Sequence, residues 1–181
     1  MTREQAYNLV KPRFSNKNLF KHVLAVEAVM RELANHFDKD VEKWGLTGLL
    51  HDLDYEETAK TPERHTLVTE EILQDYDVPE DVVHAIKCHN NMAPRESLLD
   101  KALYAADPIT GLIVAATLMH PDKKLNSVTP DFVLRRFKEK SFAKGANRDQ
   151  IRTCEDFDLS LERFTALSLQ GMQRISHDLG L

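Results

Sequence analysis

Apolar residues recur every three or four positions along most of this chain, and this spacing predicts helices. The clearest example follows the polar segment SNKN, whose side chains can cap a helix: Leu19, Val23, Val26 and Met30 begin an apolar stripe that continues to Phe37. Similar stripes predict further helices: roughly 41–53, Thr61-Pro62 through Tyr76, Pro79 through His89, 97–119, Thr129 through Phe137, and Ser160 toward Gly180. No segment alternates long enough to predict a strand, so we expect an all-α fold, a compact multi-helix bundle.

Two details of these helices are predicted from individual residues. Pro108 disfavours helix at the preceding Asp107, so 97–119 is expected to form one kinked helix or two consecutive helices, with Asp107 at the bend. Asn147 with Gln150 resembles a capping box at the start of another helix.

Composition and charge narrow the class of protein. The 181 residues, of which 42% are hydrophobic, suit one domain over 1–181 with a sizeable core. The formal charge of −5 disfavours nucleic acid as a partner, because phosphate binding draws on clustered basic residues. Cys88 and Cys154 show no disulfide framework, and the longest uncharged stretch, Pro108 to Pro121, is short for a membrane span. We therefore expect a cytoplasmic protein without a membrane anchor.

The segment GLLHDLDYEET, residues 48–58, contains polar groups that hydrophobic packing does not explain. It ends an apolar run with His51 and Asp52 and continues with Asp54 and Glu56, although burying a carboxylate without a partner is costly. Further polar residues lie on or beside the inward stripes of other predicted helices: His22, His65, His89 and Asp107. Imidazole nitrogens and carboxylate oxygens are ligands of divalent transition metals, so these residues predict a metal site.

This order of residues resembles the HD-domain superfamily of metal-dependent phosphohydrolases. A histidine, a His-Asp doublet, two more histidines and a distant aspartate follow one another on a helical chain, most similar to small HDIG-type proteins whose doublet reads HDLDYE. The resemblance runs from about Leu19 through ALYAADPITGLI and more loosely through RRFKEKSFAKG to the C-terminus. It implies a metal-site core of about 19–119, on which C-terminal helices of about 129–179 pack.

The resemblance also implies the metal ligands. The residues that match ligands of a first metal are His22, His51, Asp52 and Asp107. His65 and His89 match the histidines of members with two metals, in which the doublet aspartate bridges, so Asp52 would serve both ions. The implied cofactor is one or two divalent ions, and Fe, Mn, Mg, Ni and Zn are not distinguished.

The chain departs from the family pattern in two places. Leu53 is followed by Asp54, Tyr55 and Glu56, where HDIG-type members have a glycine, often with a lysine. The help that this lysine gives with substrate phosphate is therefore not carried over. Asn90 stands where some relatives have a second histidine, which leaves the geometry of the second metal open.

A metal-activated water can cleave phosphoesters without a protein nucleophile. We therefore expect a phosphatase or phosphodiesterase that acts on a small anionic phosphorylated molecule such as a nucleotide. Asp52 would take part in catalysis by binding both ions. Asp54 and Glu56 would orient the imidazoles or give general acid-base help, or would be solvated loop residues.

Two other functions stay open. Inositol oxygenase and its relatives hold a mixed-valence di-iron centre with the same four-His, two-Asp set on this fold, so an oxygenase is one alternative. A non-catalytic module that binds a nucleotide is the other.

The basic segment 135–148, RRFKEKSFAKGANR, is either a rim that attracts an anionic substrate or a solvated helix face and loop. Cys88, beside His89, is interpreted as a buried structural cysteine, and a homo-oligomer is compatible with the sequence.

Overall fold

The computed structural model describes all 181 residues and confirms the all-α prediction, because it contains helices and no strand. The α-helices are α1 (Arg3–Val10), α2 (Lys17–His36), α3 (Val41–Leu50), α4 (Tyr55–Thr58), α5 (Leu67–Leu73), α6 (Glu80–His89), α7 (Leu98–Met119), α8 (Pro130–Lys138), α9 (Arg148–Arg152), α10 (Leu161–Arg174) and α11 (Ser176–Leu179). Short 3-10 turns lie at Lys11–Arg13, Pro62–Arg64, Leu125–Ser127 and Thr153–Phe157.

The two longest helices, α2 and α7, form the centre of the bundle. α2 packs against α3 and α10, while α7 packs against α2, α6, α8 and α9. Buried apolar side chains from these helices join a single cluster of 43 residues. The C-terminal helices α8 to α10 thus cover the same core as the helices that precede them.

Glycines let two helices approach the backbone of α2 closely. A Cβ atom on Gly48 of α3 would lie 2.8 Å from the carbonyl oxygen of Val26, and one on Gly171 of α10 would lie 2.6 Å from that of Ala28. Because real Cβ atoms do not approach backbone atoms so closely, both helices need glycine there. The close packing of α3 on α2 fixes where the segment after α3 emerges.

Several predicted helix starts are confirmed by the caps that the structure contains. Asn16, within SNKN, accepts from the Asn18 amide at 2.9 Å and begins α2. Thr129 and Ser160 cap α8 and α10 in the same way, by accepting an amide hydrogen bond three residues ahead. These caps satisfy amides that have no partner within the helix.

Of the two alternatives predicted around Asp107-Pro108, the structure contains the single helix, since α7 continues through Pro108. Pro108 lacks the amide that would bond to the carbonyl oxygen of Tyr104 four residues earlier. The side-chain amide of Gln150 donates to that oxygen instead, at 2.8 Å.

Only one half of the capping box predicted for Asn147 and Gln150 is present. Asn147 caps α9, but Gln150 turns to Tyr104 rather than back to Asn147.

Two further boundaries around the His-Asp doublet differ from prediction. α3 ends at Leu50 rather than Leu53, so His51 directly follows the helix. His65 does not lie on a helical face, because it falls between the 3-10 turn Pro62–Arg64 and α5. Its neighbour Thr66 has a left-handed backbone with φ of 73°, which interrupts helical geometry.

Smaller differences concern the two ends of the chain. α1 has a capping box formed by Thr2 and Gln5, but only Ala6 and Val10 of this helix are buried, so it shows too weak a stripe to be predicted. The last predicted helix ends at Arg174, and a separate short helix, α11, follows Ile175.

One helix, α7, is long and apolar enough to cross a bilayer by length and composition alone. Its most apolar window has a mean hydropathy of 1.5, and 56% of that window is buried inside the protein. Core helices of soluble proteins give the same values, so this is weak evidence for a membrane span.

Candidate metal centre

The structure brings together all six residues predicted to bind metal. They come from separate elements: His22 from α2, His51 and Asp52 from the segment after α3, His65 from the segment before α5, His89 from the last residue of α6, and Asp107 from the middle of α7. His51 is fully buried, and Asp52, His65 and His89 are also buried. The residues lie up to 85 positions apart in the chain (107 − 22) and meet inside the helical bundle.

The carboxylate of Asp52 lies between two groups of histidines. Its Oδ2 atom is 3.6 Å from Nε2 of His22 and 3.4 Å from Nε2 of His51. Its Oδ1 atom is 3.2 Å from Nε2 of His65 and 3.4 Å from Nε2 of His89. Each oxygen therefore faces its own pair of imidazole nitrogens.

Asp107 completes the group on the Oδ2 side. Its Oδ1 atom is 3.1 Å from Nε2 of His22 and 3.9 Å from Nε2 of His51. Ligand atoms of His22, His51 and Asp107 all lie within 4.8 Å of one another, as do those of His51, Asp52 and His89. These two groups share His51, and the Asp52 carboxylate lies between the ring pair on its Oδ2 side and the ring pair on its Oδ1 side.

The hydrogen bonds at Nδ1 determine which nitrogen each ring presents to Asp52. Nδ1 of His51 donates to the carbonyl oxygen of Gly48 at 2.8 Å, and Nδ1 of His89 donates to that of Ile86 at 2.6 Å. Because a carbonyl oxygen only accepts, Nδ1 carries the proton, and a neutral ring presents the Nε2 lone pair to the centre.

Thr110 orients His22, and the sequence analysis missed it. The Thr110 hydroxyl donates to the carbonyl oxygen of Asp107 at 2.8 Å, so it accepts from Nδ1 of His22, which is 3.1 Å away. This leaves Nε2 of His22 facing the centre. A signal was available, because Thr110 lies one helical turn after Asp107, but a threonine in a helix is too common to single out.

Asp54 orients His65 and is fully buried, so its interpretation as a solvated loop residue is wrong. Its Oδ1 atom accepts from Nδ1 of His65 at 2.7 Å, and Oδ2 accepts from the amides of Thr66 and Thr69 at 2.8 and 3.0 Å. Burial alone would raise the pKa of Asp54, but the hydrogen bonds from His65 and Thr69 lower it. An ionised carboxylate therefore fixes the ring and the strained backbone of Thr66.

The structure does not bring Glu56 into this centre. Its carboxylate accepts from the Ser15 and Asn16 amides at 3.0 and 3.4 Å and from the Ser15 hydroxyl. The hydrogen bond from Ser15 lowers the pKa of Glu56. Its contacts stabilise the start of α2 and give no support to the predicted catalytic role.

The four rings differ in their electrostatic surroundings. Burial lowers the pKa of His51 to about 4, so this ring is neutral at pH 7. Burial also disfavours charge on His65, but hydrogen bonds with Asp52 and Asp54 outweigh it and raise its pKa to about 9. Burial would raise the pKa of Asp52, yet the surrounding imidazoles hold it well below its ordinary value.

These residues fit a divalent cation. His51 is neutral at pH 7, so its Nε2 lone pair faces the lone pairs of the Asp52 and Asp107 carboxylates with no hydrogen-bond donor between them, an arrangement that is costly away from water. Nε2 of the buried His51 has no hydrogen-bond partner at all. A cation compensates these lone pairs, and the mixed nitrogen and oxygen donors suit transition metals.

Asn90, the second departure from the family pattern, has a structural contact here. Its side-chain amide donates to the carbonyl oxygen of His65 at 3.1 Å. It therefore holds the backbone of one histidine in place rather than adding a ring to the centre.

A cavity of about 520 Å³ opens beside His22. Its polar side chains besides His22 are Asn18, Lys21 and Thr110, and its apolar lining includes Ala25, Val114, Ala115, Leu118, Leu179 and Leu181. The basic segment 135–148 does not line it. Within that segment Arg136 pairs with Glu139, and Arg148 donates to backbone carbonyl oxygens.

Comparison with known proteins identifies the family. The model of the HD domain family matches residues 19–118, a range that contains all six centre residues. This is more than half of the chain, so the chain belongs to the HD-domain family, as its resemblance predicted. Membership indicates a metal-dependent hydrolase, whereas the HDIG-type assignment and the cytoplasmic location remain predictions.

Two bacterial relatives are similar to this chain over only a part of their own length. Ribonuclease Y of Nitratidesulfovibrio vulgaris is 30% identical over 96 residues, which cover 53% of this chain and 18% of the relative. Ribonuclease Y of Desulfotalea psychrophila is 28% identical over 138 residues, covering 74% of this chain and 26% of the relative. The similarity therefore spans about a quarter or less of these relatives. No solved structure matches the chain.

Proposed function

We propose that this protein is a metal-dependent phosphohydrolase that uses two groups of ligands joined by Asp52. The first group is His22, His51, Asp52 and Asp107, and the second is Asp52, His65 and His89. The observation that carries this proposal is the orientation of the Asp52 carboxylate, each oxygen of which faces a different pair of Nε2 atoms at 3.2–3.6 Å. When bound there, divalent ions activate water as the nucleophile and stabilise the leaving oxygen.

The chain prepares these ligands before any substrate arrives. Gly48, Ile86, Asp54 and Thr110 each accept from the Nδ1 atom of one ring, so the rings have little freedom to rotate. Asp52 is held ionised among the imidazoles. Groups fixed in this way lose little side-chain entropy when they bind an ion, because their side chains are already ordered.

The cavity beside His22 supports a small substrate with one anionic and one apolar part. Lys21 offers a cation, and Val114, Ala115 and Leu118 offer an apolar wall. A Cβ atom on Gly180 would lie 2.9 Å from Nζ of Lys21, so the glycine leaves room for this side chain. A nucleotide, with a phosphate and a flat base, fits these surroundings, and its phosphoester is the bond we propose is cleaved.

The substrate class is also supported by the ribonuclease Y relatives, whose name describes action on RNA. For this chain we propose a mononucleotide or short phosphodiester rather than a long nucleic acid. The cavity volume of about 520 Å³ suits a small molecule, and the net charge of −5 gives no general attraction for a polyanion.

The proposal is tested by comparing Asp52→Asn with Asp75→Asn, an exposed residue without a side-chain partner, on nucleotides and a generic phosphodiester with Mn²⁺, Mg²⁺ or Ni²⁺. We expect Asp52→Asn to lose bound metal and at least about a hundredfold of turnover, which corresponds to about 2.7 kcal/mol. Unchanged turnover would refute the proposal. Oxygen consumption by the iron-loaded protein without phosphate release would favour the oxygenase, and nucleotide binding without turnover would favour the binding module.

A further inference from the structure

A second group of metal-binding side chains lies outside this centre, where α6 packs against α7. His84 and Cys88 stand one turn apart on the same face of α6, and Asp100 lies in the first turn of α7. One ligand atom from each lies within 4.8 Å of the others. Nothing in the phosphohydrolase proposal uses these three residues.

Two of the three ligand-to-ligand distances in this group are close to the edges of a tetrahedral zinc site. Nδ1 of His84 is 3.3 Å from Oδ1 of Asp100 and 3.5 Å from Sγ of Cys88. With Zn–N and Zn–O bonds of about 2.05 Å and a Zn–S bond of about 2.3 Å, tetrahedral angles place neighbouring ligand atoms about 3.4 Å apart for N and O and about 3.6 Å apart for N and S. Sγ of Cys88 is also 3.9 Å from Nε2 of His84, so the sulfur lies over the ring, and the half-exposed ring would have to turn before Nδ1 and Sγ bind one ion.

Asp100 is held so that one oxygen is directed at His84. Its Oδ2 atom accepts from the amides of Glu96 and Ser97 at 3.0 and 2.8 Å, as part of the capping box of α7. Its Oδ1 atom contacts His84. This division leaves Oδ1 as the ligand and Oδ2 as the atom that orients the carboxylate.

Burial and charge favour a cation over solvent at this position. Cys88 and Asp100 are buried, whereas the side chain of His84 is 39% exposed and leaves an approach for the ion and for a water as fourth ligand. A thiolate, a carboxylate and a neutral imidazole carry two negative charges, which a divalent ion neutralises. Zinc is the divalent ion that best accepts a sulfur, nitrogen and oxygen set in tetrahedral geometry.

We propose that His84, Cys88 and Asp100 bind Zn²⁺ and join α6 to α7. The Cys88 thiol now donates to the carbonyl oxygen of Pro94 at 3.1 Å. On binding, the S–H bond breaks, the proton leaves to solvent and the S–Zn bond forms, with no change in oxidation state. The site fixes the end of α6, where His89 directly follows Cys88. It stands independently of the proposed phosphohydrolase activity.

Cobalt(II) is the probe that separates this site from the Asp52 centre, which has no sulfur ligand. We expect the full-length protein titrated with Co²⁺ to show a near-ultraviolet sulfur-to-cobalt charge-transfer band that Zn²⁺ abolishes. The band should persist in Asp52→Asn and in Cys154→Ser, a buried cysteine far along the chain, and should be absent from Cys88→Ser. Absence of the band from the wild-type protein, or its presence in Cys88→Ser, would overturn the proposal.

A second variant keeps the test valid if Cys88→Ser does not fold. His84→Gln changes a half-exposed ring and should leave the helical circular dichroism spectrum unchanged. We expect its sulfur-cobalt band to need on the order of 10- to 100-fold more Co²⁺ for half saturation. An unchanged titration curve for this variant would also overturn the proposal.

Discussion

The side-chain amide of Gln150 donates to the carbonyl oxygen of Tyr104 at 2.8 Å, the acceptor that Pro108 leaves without its helical partner. This contact joins α9 to the turn of α7 that carries Asp107. It explains how a proline stands inside a continuous helix beside the metal centre, because the lost backbone hydrogen bond is replaced from a distant part of the chain.

Removing this side chain should therefore destabilise the protein. We expect Gln150→Ala to lower the free energy of unfolding by about 1–2 kcal/mol, since the Tyr104 oxygen loses its partner. The control is Gln74→Ala, at an exposed position where the side chain makes no hydrogen bond, with an expected change within about 0.5 kcal/mol. Urea unfolding measures both, and equal midpoints for the two variants would show that α7 does not depend on Gln150.

The two carboxylates that follow the His-Asp doublet should behave differently when neutralised. Asp54→Asn weakens the anchor of His65, so we expect metal content at the second group to fall and turnover to drop by about 10- to 100-fold. Glu56→Gln should leave turnover nearly unchanged, because Glu56 contacts Ser15 and Asn16 instead. Phosphate release and metal analysis on both variants check this. A larger loss for Glu56→Gln than for Asp54→Asn would contradict the assignment.

Much of the fold could be predicted because its signals are local. The apolar stripe and SNKN cap of α2, and the caps Thr129 and Ser160, need only neighbouring residues and agree with the structure. Local signals left open whether α7 is one helix or two, because the contact that replaces its lost hydrogen bond comes from Gln150, 46 positions away from Tyr104. Local proline preference favours a break, and a tertiary hydrogen bond overrides it.

The residues of the candidate site could also be predicted only in part. Residues of the family pattern, such as His22 and Asp107, could be singled out by their order along the chain. The residues that orient them could not, because an orienting contact has no sequence pattern of its own. Thr110 belongs to this class, and the position of His65 outside a helix depends on the buried Asp54 and on the left-handed backbone of Thr66.

Thr110 gives a test of orientation without a change in ligand number. Thr110→Val keeps the shape but removes the hydroxyl that accepts from His22, so we expect the affinity for Mn²⁺ to fall by about 10- to 100-fold. Thr117→Val is the matched control, because its hydroxyl donates to the Ile113 carbonyl oxygen in the same helix. Titration calorimetry measures both affinities, and equal losses would mean that the Thr110 hydroxyl acts only through helix stability.

Cys154 links the stability of the fold to alkaline pH. Burial raises the pKa of its thiol to about 12. The unfolded thiol has a pKa of about 8.5, so the folded state binds the proton more tightly. The stability that results is fully present below about pH 8.5 and is lost as the pH rises toward the folded value, because the unfolded chain ionises first.

We therefore expect the urea midpoint to fall between about pH 9 and pH 11 more steeply in the wild-type protein than in Cys154→Ala, which has no thiol to ionise at this position. The comparison between the two proteins removes the contribution of tyrosine and lysine ionisation, which both share. The side chain of Cys154→Ala is smaller, so its midpoint should be lower at pH 7, and the two curves should converge as the pH rises. Parallel curves would mean that burial in the turn Thr153–Phe157 does not protect the thiol from ionisation.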